Sequence, residues 1–222
     1  MNPYYLIGYW VCTLVGKLAF RHKAYGRENL IEDGPAILAS NHQSYLDPPM
    51  IGICCRKGIY FLARDTLFTI KGVGWIIAKL NTVPVDRKRG DIGAIKTIIR
   101  LLQEGKRVII FPEGTRSLDG RLQPARAGLG MVIAKTLAPV VPIRIFGSYD
   151  ALPKTGGLKA RPITVVIGKP IRFTKADLEG GGRDIYQRVS ERVMAEIAKL
   201  ELPPERVTGK MPQMPQAKKC QK

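Results

Sequence analysis

Histidine is nearly missing from this chain, with only His22 and His42 among 222 residues. His22 lies in a basic segment near the N-terminus, so imidazole chemistry points first to His42. Cysteine is also scarce. Cys12, Cys54, Cys55 and Cys220 form no metal-like spacing, and adjacent cysteines rarely make a disulfide staple. Isolated reduced thiols in a cytoplasmic-facing protein are the expectation. Acidic residues number half the basic ones, 18 against 36, leaving a net charge of +18. Such a chain seeks anionic partners: nucleic acid, an anionic membrane surface, phosphorylated substrates or an acidic carrier protein. Zinc-finger spacing, a basic heptad zipper and the aromatic signature of an RNA-binding sheet are all lacking, which argues against nucleic acid. No Ser or Cys stands in a nucleophile-elbow context, so direct attack by a substrate is favoured over a covalent enzyme intermediate. There is no internal repeat.

What is present suits one substantial α/β domain, or a domain with small additions. The 45% hydrophobic and 24% charged content is ordinary for a globular chain. Residues 4–20 are apolar except for Lys17. As a helix they span roughly 25 Å, somewhat short of a ~30 Å hydrocarbon core. No basic leader or small-residue cleavage site marks a signal peptide. Tyr4, Tyr5, Tyr9 and Trp10 suit a membrane interface, and Arg21, Lys23 and Arg27 would keep the rest of the chain cytoplasmic. The expectation is a membrane-embedded or interfacial anchor, with a buried helix of the domain as the plainer alternative.

Ala36–Ser40 reads as a buried strand, and Pro48 and Pro49 suit the first turn of a helix. His42 then falls in the turn between strand end and helix start. Asp47 in the first helical turn can fold back onto one imidazole nitrogen, leaving the other to take a proton. Ser44 to Asp47 also has the form of a capping box, the plainer role for the acid. Further strands are expected at residues 59–63, 82–85, 107–111, 140–146 and 163–167. Helices are expected at 66–80, from Asp91 to a stop at Gly105, at 124–137 and at 183–200. The apolar segment 66–80 fits either the core or an acyl-chain groove. The alternation argues for a mostly parallel central sheet flanked by helices. Residues 201–222, with four prolines and several basic side chains, read as a flexible tail.

Three polar turns succeed strand ends: the His42 turn, the Arg87 turn and the turn Glu113-Gly114-Thr115-Arg116. In a parallel sheet such turns gather on one edge. There a His with an orienting carboxylate makes a general base and nearby arginines a phosphate cradle. Glycine after Glu113 permits close backbone approach. For Arg87, Lys88 and Arg89 a solvated basic face is the plainer reading. Glu113 could equally hold a loop arginine.

Asn41-His42-x4-Asp47, Val85-Asp86-Arg87, Phe111-Pro112-Glu113-Gly114-Thr115-Arg116-Ser117 and Val141-Pro142-Ile143 resemble the four ordered motifs of the 1-acylglycerol-3-phosphate acyltransferase family. Gly26-Arg27-Glu28-Asn29-Leu30 and Gly34-Pro35 resemble its lead-in, and the likeness covers roughly residues 24 to 170. The resemblance implies transfer of an acyl group from a thioester, carried by coenzyme A or acyl carrier protein, to the sn-2 hydroxyl of lysophosphatidic acid. It implies His42 as general base and Asp47 as its orienting partner. Arg87 and Arg116 would hold the glycerol phosphate, and Glu113, Gly114 and Thr115 would shape the acceptor site. No metal and no tightly bound cofactor is implied. Residues 1–23 would be the membrane-anchoring or interfacial segment, 24–200 the acyltransferase domain and 201–222 the tail, at the cytoplasmic face of the membrane. Acylation of another lysolipid, and a non-catalytic basic lipid- or nucleic-acid-binding protein of the same fold, stay open as alternatives.

Overall fold

A computed structural model describes residues 3–85 and 91–207. It begins with α1 (Pro3–Phe20), β1 (Lys23–Tyr25) and β2 (Ala36–Ser40), then α2 (Asp47–Gly52) and β3 (Phe61–Arg64). Two short helices, α3 (Asp65–Phe68) and α4 (Val73–Lys79), lead to β4 (Thr82–Val85). Then come α5 (Asp91–Gln103), β5 (Arg107–Ile110), α6 (Gly128–Thr136) and β6 (Val140–Phe146). The chain closes with α7 (Ser148–Ala151), β7 (Thr164–Ile167), α8 (Gly182–Lys199) and α9 (Pro204–Val207).

Five strands form one sheet in the order β1-β7-β6-β2-β5. The pairs β1–β7, β6–β2 and β2–β5 are parallel and only β6–β7 is antiparallel. The mostly parallel expectation therefore stands. Strands β3 and β4 make a separate parallel pair that meets β5 through the Tyr60–Val108 bridge. β2, central and wholly buried, divides its side chains by the period of two that a strand imposes. Ile37 and Ala39 join the core under α5, α6 and α8, whereas Ala36 and Leu38 join the core under α1 and α2.

Four expectations need correction. The helix foreseen over 66–80 is two helices, because Gly72 takes a φ of 80° between them. A Cβ on Gly74 would also lie 2.0 Å from the Phe68 carbonyl oxygen. The helix foreseen from 124 begins at Gly128, since the preceding backbone is spent on tertiary bonds. Arg126 N–H donates to Pro112 O, and the Ala125 carbonyl accepts from Gln187. The tail is not free throughout, because α9 packs back and Arg206 donates to the Arg21 carbonyl. Residues 208–222, with Cys220, lie outside the described residues.

The fourth concerns the N-terminal segment. Among the described residues no helix is long and apolar enough to cross a membrane. α1 has 18 residues, ~27 Å of helix, and it is seated on the domain. Tyr5, Gly16 and Phe20 are buried, and Tyr5 Oη accepts the Ile59 N–H. Its other face is apolar and exposed, with Ile7, Trp10, Leu14 and Leu18 each at least 60% accessible. Trp75 and Ile76 of α4 continue that surface, joined through an edge-on Tyr4–Trp75 contact.

Candidate active site

β2 and β5 run side by side in the same direction, so the chain leaves both at one edge of the sheet. The turn after β2 carries His42, and the turn after β5 carries Glu113 to Arg116. The two turns are laced together. His42 N–H donates to Glu113 Oε1 at 3.1 Å, and Ser117 N–H donates to His42 O at 2.8 Å. Asn41 clamps the first turn to β6 like an extra strand residue, giving its Nδ2 to Ile145 O and taking the Ile145 N–H on Oδ1. Gln43 Nε2 donates to Gly120 O, and Ser148 Oγ donates to Gln43 Oε1.

Asp47 sits in the first turn of α2 with its side chain wholly buried. Its Oδ2 lies 2.8 Å from His42 Nδ1 and also accepts the N–H groups of Gln43 and Ser44. The bond back to Ser44 N–H is half of a capping box. The other half is shifted, because Ser44 Oγ accepts the N–H of Leu46, not that of Asp47, while donating to Leu152 O. Cap and orienting roles thus coexist in one carboxylate oxygen. The contact assigns the proton of neutral His42 to Nδ1 and leaves Nε2 as the basic nitrogen. Phe111 stacks on the imidazole at 3.9 Å with 14° between planes, fixing the ring's tilt.

His42 borders a cavity of about 280 Å³. Its lining is largely apolar, with Phe61, Leu62, Ile98 and Ile109 among the residues. Its polar lining residues include Thr115, Arg116, Arg64 and Lys154 and, among the described residues, no carboxylate. The Arg116 guanidinium lies 3.6 Å from the centre of the Tyr45 ring. Its Nη1 is buried without a hydrogen-bond partner among the described residues. A guanidinium held over a ring with a spare N–H suits an anionic oxygen.

The turn residues divide. Thr115 and Arg116 face the cavity, and Gly114 borders it too. Gly114 is glycine for two reasons: its φ is 69°, and a Cβ would lie 2.8 Å from Arg126 Cδ. Glu113 is 2% exposed and does not line the cavity. It lies beneath the His42 turn, and among the described residues it makes no ion pair with an arginine. Burial pushes its carboxyl up to about 7, opposed by the N–H groups of His42 and Gln123 and reinforced by the negative charge of Asp47. Arg87 lies outside the described residues; Val85, which ends β4, is in the cavity wall.

Other parts of the chain carry different environments. His22 is held down to about 4, first by burial and then by Arg27. Burial pushes the Cys54 thiol up to about 12 and raises that of Cys55. Cys54 and Cys55 are buried in the core, and His22 is half-buried beside it. Sequence reasoning passed over Arg64, Lys154 and the Asn41 clamp. Arg64 had a signal, being a basic residue at the end of an apolar strand, as Arg87 is. Lys154 had none, because only the return of the chain after β6 brings it to the cavity.

Residues 21–146 match the model of the family described as Acyltransferase. A chloroplastic 1-acyl-sn-glycerol-3-phosphate acyltransferase of Brassica napus is 38% identical over 158 residues, covering 69% of this chain and 46% of the relative. A 1-acyl-sn-glycerol-3-phosphate acyltransferase of Bacillus subtilis is 34% identical over 152 residues, covering 67% of this chain and 73% of the relative. The chain thus spans about half the length of the plant relative. The crystal structure of the 1-acyl-sn-glycerophosphate acyltransferase PlsC of Thermotoga maritima aligns with a TM-score of 0.65 at 28% identity, covering 91% of this chain and 86% of that one.

Proposed function

The chain belongs to the Acyltransferase family, and from that premise we propose that it acylates the sn-2 hydroxyl of 1-acylglycerol-3-phosphate from a thioester donor, giving phosphatidic acid. His42 Nε2 takes the proton of the acceptor hydroxyl as its oxygen attacks the thioester carbonyl. The tetrahedral intermediate then collapses, the carbon–sulfur bond breaks, and the imidazolium returns the proton to the leaving thiolate. The products are an ester and a free thiol, with no covalent enzyme intermediate. Asp47 holds the ring and offsets the imidazolium charge. A positioned general base of this kind contributes ~10² to 10⁴ in rate.

One observation carries this reading. The His42–Asp47 pair opens on a cavity lined largely by apolar side chains together with cations and, among the described residues, no carboxylate. That is the chemistry of an acyl chain with a phosphate at one end. Arg116 and Arg64 are the ligands for the acceptor phosphate, joined by Arg87. Glu113 positions the His42 turn from below. The donor is acyl-CoA or acyl carrier protein, and neither metal nor bound cofactor takes part. The exposed apolar face of α1, extended by Trp75 and Ile76, rests on an anionic membrane at its cytoplasmic face. The surplus of basic residues favours such a surface.

The test is thioester-dependent acylation of lysophosphatidic acid by the purified protein, beside His42→Ala and with lysophosphatidylcholine as a second acceptor. Diacyl product from the phosphate acceptor, lost in the variant, is expected. Product from lysophosphatidylcholine alone would retain the base and reject the phosphate assignments. No transfer to either acceptor would reject the enzyme.

A further inference from the structure

Two phosphate-bearing substrates must meet at His42 if the chain is the acyltransferase proposed above, and the donor site argued here rests on that function. The acceptor phosphate is provided for by Arg116 and Arg64. The donor brings another, because coenzyme A and carrier protein both present the acyl group on a phosphopantetheine arm. We propose that Lys154 binds the phosphate of that arm, in a donor site formed by the loop of residues 152–162.

The sheet order separates the two sites. β2, which delivers His42, has β5 and then β3 on one flank and β6 on the other. Arg116 comes after β5 and Arg64 ends β3, so both acceptor cations come from the first flank. Lys154 comes after β6 and α7, so it reaches the same cavity from the second. A thioester brought in along that flank can meet a hydroxyl held from the opposite one.

The loop is anchored to the catalytic turn. Ser44 Oγ, two residues past His42, donates to Leu152 O at 2.8 Å. Lys159 N–H donates to Ala151 O at 2.7 Å, closing the loop on itself, and Tyr149 Oη donates to Leu118 O. Lys154, Lys159 and Arg161 are all exposed, and no ion pair among the described residues engages any of them. Three unneutralised cations within eight residues, one of them in the cavity wall, make a site for a phosphorylated arm.

Steady-state kinetics of Lys154→Ala and Lys154→Arg, with palmitoyl-CoA and separately with palmitoyl-acyl carrier protein, test this. The donor KM of Lys154→Ala is expected to rise about five- to tenfold, with the lysophosphatidic acid KM unchanged. Lys154→Arg is expected to recover most of the loss, and the gap to narrow at high salt. A rise with only one donor would support the site and identify the carrier. An unchanged donor KM with both, or a rise in acceptor KM instead, would overturn the inference while leaving the acyltransferase standing. An inactive wild-type protein would overturn both.

Discussion

At Asp47 a single oxygen receives three donors, His42 Nδ1 and the N–H groups of Gln43 and Ser44. The residue therefore shapes the turn and polarises the base at once. Asp47→Asn keeps the size but removes the charge that favours the imidazolium. Its kcat is expected to fall ~10²- to 10⁴-fold, with a smaller change in KM, in the lysophosphatidic acid assay. Glu113 has the opposite problem, a carboxylate buried beneath the same turn. Its folded value near 7 lies above the ordinary 4.5, so the folded state holds the proton more tightly. Stability attributable to this group is full below about pH 4.5 and is lost as pH rises through about 7. Glu113→Gln keeps an acceptor for His42 N–H without the charge. Denaturant titration is expected to find it more stable than wild type by about 1–3 kcal/mol at pH 8, with no gain at pH 4.5. Equal stability at pH 8 would place the Glu113 charge in a better solvated setting than its burial implies.

Among the elements, α6 and α8 approach at glycine. A Cβ on Gly130 would lie 1.9 Å from the Tyr186 carbonyl oxygen, and Gly130 N–H donates to buried Ser190 Oγ. Gly130→Ala is expected to destabilise the fold by about 1–3 kcal/mol in thermal or urea unfolding, because backbone must move to admit the methyl group. The edge of the sheet is secured differently. Asn41 gives β6 two hydrogen bonds from a side chain 1% exposed. Asn41→Ala would strand the N–H and C=O of Ile145 at a cost of about 2–4 kcal/mol. The elements that sequence pattern foretold best, β2, β5, β6 and α8, have apolar periods matching one face or two buried faces. Segments 66–80 and 124–127 read less well, since Gly72 in one and Arg126 in the other answer to tertiary contacts that periodicity does not contain.

Over the whole molecule, apolar surface gathers on one side. Trp10 and Leu14 on α1 are 62% and 60% exposed, and Trp75 on α4 is 61% exposed. The double variant Trp10→Glu, Leu14→Glu is expected to lower affinity for phosphatidylglycerol-containing vesicles by at least about tenfold in co-sedimentation, given the value of burying two large side chains. Wild-type-like pelleting would move the contact elsewhere. High salt should weaken only the part due to basic residues.

The sequence by itself determined the parts whose cause is local. Strand and helix periods, the turn at His42, the His-x4-Asp spacing and the cationic surplus all arise from residues close together in the chain or from their sum. The His42–Asp47 bond is the clearest case, since five residues suffice to close it. Tertiary structure decided what depends on distant segments meeting. Glu113 looks like a ligand in the string but lies under His42, because parallel pairing of β2 and β5 brings their exits together. Lys154 looks like any surface lysine, and only the path of the chain from β6 through α7 back to Ser44 brings it to the cavity. The seat of α1 is likewise set by Tyr5 meeting Ile59. A local pattern specifies dihedrals and faces; which faces and turns share a site is settled by strand order.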